Sequence, residues 1–514
     1  MRLPHLSGRS RSLSIILAFA GLSAFAAAFD ATLQTDAGGN LALNWPSDAG
    51  RYYFVEASSD LGSWSPVTSE IAGTGHEVTA VVRPAGVATA ARQFWRVTAA
   101  PPFVATYFVD GSTGNDEQPG TLDHPWRSLA KAAASLRAGE VVFLRAGTYR
   151  LAAQVHPQNK GTKLQPITFA SYPGESVLID GGAGSCVSLQ FSTGITFRGL
   201  RFTTASTRVG ASMIYLEATN DCAFLDCEFF GLPAPAGSEN TSVLRCMGTE
   251  NGYSSNVLVR NCYFHDNLAP ALRLYDTDGW IIENNEFRRC EQAVGGKDSP
   301  TNMIVRRNLI ADCGLAFYFA AQDGCHNVSI TENLVLRTGG GFMIGGLGTY
   351  GHLRDDVRLL NNTFVDCTNF ILGWDDGFTT GQLYANNLFF DRTARNIGAG
   401  SDSAGRLLNL NKYGSVPVDN ADYVMDYNCL CLPPSDTSIW FIDASLRASS
   451  LATWTAVHPP FEQHSIITDP AFVDAANGDY HLKPGSPCLG KGRTGEDLGA
   501  YPRGNDGTII GRLP

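Results

Sequence analysis

Apolar and polar positions along most of this chain repeat at an interval too long for a single strand or helix, and GWIIENNEF (Gly279 to Phe287) shows the unit. Aligned on its last residue, the anchors are Phe202, Phe229, Phe264, Phe287, Ile310, Val335, Phe364 and Phe389, at steps of 27, 35, 23, 23, 25, 29 and 25 residues. Two positions earlier stand Leu200, Cys227, Cys262, Asn285, Asn308, Asn333, Asn362 and Asn387. Five positions earlier come Phe197, Phe224, Val259, Ile282, Val305, Ile330 and Leu359, and seven earlier the chain is apolar again, as at Ile195, Val257, Trp280 and Met303. Apolar residues two apart share one face of a strand. The phrase therefore predicts strand, sharp bend, strand, both turned to one interior. A unit of 23 residues cannot bury that face alone, but stacked copies can. An all-β solenoid with coils about 4.8 Å apart satisfies the pattern. The Asn row fits it, because stacked amides can satisfy one another and the bent backbone.

Outside the repeat the period changes. Arg2, Arg9 and Arg11 precede an apolar run from Leu13, and Ala24, Ala26 and Ala28 suit cleavage before Phe29. Residues 1–28 thus predict an export signal and a secreted mature protein with no membrane segment. From 29 to 100, LALNW, YYFVEAS, HEVTAVV and QFWRVTA alternate as half-buried strands between turn residues. Trp45, Trp64 and Trp95 are the expected core of a small β-sandwich, and Pro101–Pro102 open a linker to residue 106. The solenoid is assigned to 107–502, with a tail at 503–514. Within it, Trp126, Leu129, Ala133 and Leu136 fall at helical spacing. A short amphipathic helix there would cover the open edge of the first coil.

The asparagine and aliphatic rows resemble those of right-handed parallel β-helix proteins of the pectate-lyase type, over residues 105 to 500. Tyr107 to Arg150 resembles the opening segment of the secreted bacterial members, where such a helix caps the first coil. Ile467 to Gly492 and DLGAY (Asp497 to Tyr501) resemble their closing segment. SSDLGSW (Ser58 to Trp64) resembles fibronectin-type-III-like modules. The resemblance implies a single-stranded right-handed solenoid, but that fold carries lyases, hydrolases, epimerases and non-catalytic surface proteins.

Long steps mark insertions at Gly231 to Ser255, Leu347 to Asp356 and after Phe390, and insertions in solenoids tend to build a binding face. Twelve cysteines in an exported chain raise the question of disulfides, with Cys227–Cys262 and Cys290–Cys313 as the candidate pairs. Yet their positions in inward rows suit free thiols packing a core. No Cys/His cluster has zinc spacing, and no nucleotide motif occurs. A formal net charge of -11 and pI of about 5.4 disfavour nucleic acid as a partner. A monomer is expected.

Chemistry is expected about twelve residues before the anchors. There stand Gln190, Glu217, Tyr275–Asp276, Lys297–Asp298, Gln322–Asp323 and Asp375–Asp376, with Arg273 and Asp278 alongside. An elongated sheet face of this kind suits a polysaccharide. In β-elimination on a uronic-acid polymer, a base removes the proton beside a carboxylate while cations neutralise the developing charge. The candidate catalytic residues are Lys297, Arg273, Asp276 and Asp298. Tyr275, Tyr318, Gln322 and Trp374 are candidate substrate contacts. Asp276, Asp278, Asp298, Asp323, Asp375 and Asp376 are candidate ligands for calcium, which takes carboxylate oxygens. Hydrolysis by Asp276 with Asp298 or Asp375 is a second route, an epimerase a third, and a non-catalytic carbohydrate-binding or adhesin-like surface protein the rival from another class. Lys297, placed shortly before NMIVRRN (Asn302 to Asn308), resembles the catalytic lysine of chondroitinase-B-like and alginate-lyase-like β-helix enzymes. Those enzymes carry an arginine one coil later, where this chain has Phe319 to Asp323 with no Arg. Arg288–Arg289 and Arg306–Arg307, interleaved with Glu283 and Glu286, predict a solvated outer face. His265–Asp266 predicts a bend.

Overall fold

The computed structural model describes residues 13–14, 31–35, 41–48, 52–58, 65–66, 71–83, 94–99, 104–208, 210–234, 241–248, 252–321, 324–346, 356–374, 382–391, 405–409, 423–431, 439–442, 447–448, 450–458, 461–502 and 510–512. Contacts divide the chain into Met1–Ala105 and Thr106–Pro514. In the first unit two antiparallel sheets enclose Leu43, Trp45, Tyr53, Val55, Trp95 and Val97. Leu13–Ser14 pairs with Leu33 and Thr32 at the edge of one of them. Trp64 lies outside the described residues.

The second unit is a parallel β-solenoid of three sheets with 12, 12 and 11 strands. The first sheet carries the residues five before each anchor in one register: Phe197, Phe224, Val259, Ile282, Val305, Ile330 and Leu359. The second carries the anchors themselves, Phe202 through Phe389, again in register. Their rings stack face to face, with centroids 5.0, 4.8 and 4.9 Å apart from Phe202 to Phe287. This is the coil spacing expressed in side chains. Between the two sheets a non-glycine residue takes the left-handed conformation at the same place in each coil, as at Asn284, Arg307, Glu332, Asn361 and Asn386 (φ 54–60°). Left-handed backbone costs an L-residue about 1 kcal/mol, and the next residue shows what offsets it. Asn308 Oδ1 accepts from the backbone N and Nδ2 of Asn285 (2.9 and 3.0 Å), and Asn308 Nδ2 donates to Ile282 O (2.9 Å). Asn333, Asn362, Asn387 and Asn428 continue the ladder. At its end Asn428 Nδ2 donates to the buried carboxyl of Glu462 (3.2 and 3.3 Å), which burial pushes up to about 7.

The helix Leu129–Ser135 forms where expected, N-capped by Ser128, and buries Leu129, Ala132 and Ala133 with Trp126 and Leu136. A second short helix, Leu451–Val457, puts Trp454 into the main core with Phe461, and Glu462 N donates to Met425 O on the last strand of the first sheet. The segment from Ile467 to Tyr501 instead runs back along the outer face of the second sheet. Phe472, Tyr480, Cys488 and Leu498 pack there on Leu334, Leu336, Val365, Leu388 and Phe390. The reason is local: LVL, TFV and LFF at these coils are buried along all three residues, so their strands need cover on both faces.

The stretch 231–255 is also not all loop. Ser242–Met247 is a full strand of the third sheet, between Ser212–Glu217 and Leu272–Tyr275. All twelve cysteines are free thiols, so the disulfides considered for Cys227–Cys262 and Cys290–Cys313 are not formed. His265–Asp266 is not the expected bend but lies within the strand Tyr263–Asn267, with Asp266 left-handed and both His265 nitrogens on carboxylates, Asp266 at 2.7 Å and Glu228 at 2.9 Å.

Candidate active site

The third sheet turns one row of side chains inward, Val187, Ile214, Leu244, Leu272, Val294, Phe317, Phe342 and Ile371. Alternation then sends the neighbouring positions outward. Two outward columns matter. In one, Tyr215, Arg245, Arg273, Gly295 and Tyr318 follow one another coil by coil. In the other, Glu217, Met247, Tyr275, Lys297 and Ala320 do so, Met247 facing Tyr275 by continuation of the register.

Lys297 stands where these columns meet. Its Nζ lies 5.5 Å from the ring centroid of Tyr275 and 5.9 Å from that of Tyr318, within reach of a cation–π attraction. Burial raises the phenol pKa of both tyrosines, against the opposing field of Arg273, so both stay protonated near neutrality. Asp298 adds to the rise at Tyr275. Arg245 donates from Nη1 to Gly210 O (2.7 Å) and sits 5.9 Å from the Tyr215 ring, and burial lowers its pKa. Glu217 accepts from Tyr215 Oη (2.8 Å) and Gln190 Nε2 (2.7 Å). The Nε atoms of Arg245 and Arg273 and Nε2 of Gln292 are buried without a hydrogen-bond partner. Among the described residues no carboxylate forms an ion pair with Arg245 or Arg273.

Glycines shape this face. A Cβ on Gly295 would overlap the Gln292 amide, and one on Gly248 would overlap the Asp276 carboxylate. Between Arg273 and Tyr318 the buried Gly295 therefore leaves its side-chain space to the Gln292 amide. Asp276 and Asp298 end their strands in left-handed bends (φ 47° and 60°), with Asp276 N donating to Lys297 O (3.4 Å).

The structure thus brings Lys297, Arg273, Tyr275 and Tyr318 together, with Asp276 and Asp298 at their rim. Among the described candidate carboxylates, Asp278 stands apart. Asp278 belongs to another ladder, with Asn220, Ser255, Thr301 and His326, and accepts from Asn302 Nδ2 (2.8 Å). Among the described residues no three His, Cys, Asp or Glu side chains form a group able to hold a metal ion. Gln322, Asp323, Asp375 and Asp376 lie outside the described residues. Trp374 ends the strand Asn369–Trp374, in the column of Lys297 and Ala320 through Gly345. Sequence reasoning missed Arg245, Tyr215, Gln292 and the two glycines. Arg245 was hidden in a stretch read as insertion. Its signal was the six-residue apolar-alternating run SVLRCM, which repeats SMIYLE of the coil before.

Comparison with known proteins agrees on the scaffold. Residues 107–295 match the family model described as Pel9A-like, right handed beta helix region, and residues 248–412 match that of the right handed beta helix region. The solenoid is a right-handed β-helix. Uncharacterized protein YwoF of Bacillus subtilis (strain 168) is 23% identical over 442 residues, 74% of this chain and 92% of that protein. Pectate lyase PEL9 of Emericella nidulans is 35% identical over 81 residues, 16% of this chain and 20% of its own length. The chain thus spans about a fifth of that second relative. Among solved structures, pectate lyase Pel9A aligns with a TM-score of 0.37 at 14% identity, covering 77% of this chain and 95% of its own. The complex of XylC with xylose aligns at 0.46 and 12% identity, over 71% and 87%. The neighbours include polysaccharide lyases and glycoside hydrolases.

Proposed function

We propose that this protein cleaves a uronic-acid-containing polysaccharide by β-elimination on the outer face of the third sheet. One observation carries the reading: Lys297 is set between two aromatic rings beside Arg245 and Arg273, two guanidiniums with no acid partner among the described residues. Elimination needs a base at C5 and positive charge facing the adjacent carboxylate, where negative charge builds up in the transition state. Lys297 supplies the base. Arg273, with Arg245 one coil before it, supplies the charge. Tyr275 and Tyr318 supply faces for sugar rings. Asp276 and Asp298 border the site, and calcium is proposed as a ligand they would share. The protein is proposed to be exported and monomeric, with a fibronectin-type-III-like module ahead of the β-helix.

The experiment is incubation of the full chain with a panel of uronic-acid polymers, with and without a calcium chelator. Ultraviolet absorbance of unsaturated products and new reducing ends are both read. Unsaturated ends that appear with the wild type and vanish with Lys297→Ala support the reading. New reducing ends without unsaturation would replace it with hydrolysis. Neither signal on any polymer would leave a non-catalytic carbohydrate-binding surface.

A further inference from the structure

A polymer must be held well beyond the bond that breaks, and we infer that Phe191 and Tyr253 form an aromatic track for the polysaccharide along the rim of the third sheet. The inference rests on the β-elimination reading of the Lys297 face and adds distant binding positions to it. Phe191 and Tyr253 are each 47% exposed. Single exposed apolar residues are ordinary, but these two stand on one rim. Val187 faces Ile214 and Thr193 faces Asn220 at the same interval, so Phe191 stands beside Ala218, and its N donates to Glu217 O (2.8 Å). Asn220 faces Ser255, and Ser255 faces Asp278. That register sets Tyr253 between Ala218 and Asp276, with Ser254 N donating to Asp276 O (3.3 Å). Tyr275 faces Lys297, so Asp298 follows Asp276. Coil by coil the rim therefore carries Phe191, Ala218, Tyr253, Asp276 and Asp298.

The backbone gives an independent observation. Phe191 is left-handed (φ 58°), a conformation that strains a bulky residue. The other aromatic among the described left-handed residues, Tyr427, stacks on His464 at 4.6 Å. Among the described residues neither Phe191 nor Tyr253 has a ring partner or a side-chain hydrogen bond. The fold gains little from a strained residue that leaves its ring in water, so the gain is assigned to binding.

Spacing identifies the ligand. Phe191 and Tyr253 are two coils apart, about 10 Å, and Tyr253 is the same distance from the coil of Lys297. A pyranose advances its chain by about 5 Å, close to one strand spacing. A polymer lying along the solenoid axis therefore has Tyr253 about two sugars and Phe191 about four sugars from the bond that breaks. Aromatic faces are broad and apolar, as is the carbon–hydrogen face of a pyranose. Arg273 and Lys297 then read the acid, and the two rings read chain length.

Full-chain variants are assayed on oligomers of graded length cut from the polymer that the wild type converts. Phe191→Asn removes the ring and keeps a residue that tolerates left-handed backbone. A ring-stacking contact is worth about threefold to tenfold in affinity, so KM should rise by that factor for oligomers of about six sugars or more, long enough to reach from Lys297 to Phe191. For oligomers of about three sugars KM should not change, and kcat should be unchanged at every length. Tyr253→Ala should raise KM from about four sugars upward. Phe191→Trp should restore the wild-type length dependence, and Phe191→Asn should not lower the unfolding midpoint. No rise in KM, or an equal rise for short and long oligomers, would overturn the track. A wild type that sediments as a dimer beside a monomeric Phe191→Asn would give the rings to a second copy of the chain instead. If the wild type forms no unsaturated product, the elimination reading fails separately, and galacturonic-acid and mannuronic-acid oligomers are titrated calorimetrically. A length-dependent loss of affinity in Phe191→Asn then upholds the track, and equal affinities, or no binding by the wild type, overturn it.

Discussion

Arginines on the outer faces of the first and second sheets keep different company from those on the third. Arg201 pairs with Glu228 at 2.6 Å, Arg289 with Asp266 at 2.5 Å, Arg306 with Glu283 at 2.7 Å and Arg337 with Asp312 at 2.7 Å. The stretch expected to be a solvated outer face is instead ion-paired, with Arg307 on Glu332 at 2.8 Å, Arg288 on Glu286 and the Glu283 partner of Arg306 buried. In these bonds, Arg288–Glu286 excepted, the acid sits in register one coil away, which is how a solenoid stacks like charges without repulsion. On the third sheet the residues in register with Arg245 and Arg273 are Tyr215 and Gly295. Among the described residues neither guanidinium has an acid partner, which lowers stability, and their place near Lys297, Tyr275 and Tyr318 supports the proposed site.

Substitutions should separate the two kinds of surface. The largest effect is expected from Lys297→Ala, which should lower the rate of unsaturated-product formation at least about 10³-fold at an unchanged thermal midpoint. Arg306→Ala and Arg273→Ala should then behave as opposites. The first leaves Glu283, 1% exposed, as a buried charge without its guanidinium. It should cost about 3 kcal/mol in denaturant unfolding with activity intact. The second should cost about 10²-fold in kcat/KM without lowering the unfolding midpoint. If Arg273→Ala destabilises as much as Arg306→Ala, the contrast between the faces is wrong. Asn333→Ala removes one rung of the ladder and leaves Asn308 N, and one of the two hydrogens of Asn308 Nδ2, without an acceptor. About 2 kcal/mol of stability should go, measured by the same titration.

The smallest effect concerns pH. Burial raises the folded-state pKa of Glu462 to about 7, above its ordinary value of 4.5. The folded chain then holds a proton that the unfolded chain has released, so stability from this group is fully present below pH 4.5. It falls as pH rises to about 7 and is level beyond. Glu462→Gln should flatten that part of the stability curve, and an unchanged slope in the variant would place the titration elsewhere.

Much of this was legible in residue order. The anchors and the row five before them fall in register on two sheets and the asparagine ladder at the bend between them, because a solenoid converts sequence interval directly into spatial neighbourhood. Counting back from the anchors picked out Tyr275 and Lys297, with Arg273 alongside and Tyr318 as an aromatic candidate, and the structure places the four in neighbouring columns. What failed did so where the interval was broken. Arg245 sat within a long step, so its register could not be counted from the anchors. Asp278 was grouped with Asp276 by proximity along the chain, although a left-handed bend at Asp276 turns the backbone between them into another ladder.

The sequence by itself determined the coil: which residues face inward, where the backbone bends, and that an amide row runs through the core. These follow from local periodicity and from the cost of leaving a buried polar group without a partner. Only the tertiary structure decided which outward residues share a column, that the Gln292 amide takes the side-chain space of Gly295 between Arg273 and Tyr318, and that the C-terminal segment covers the second sheet. Each of these depends on how many residues every insertion adds before the chain rejoins the stack, and packing against neighbouring coils sets that count.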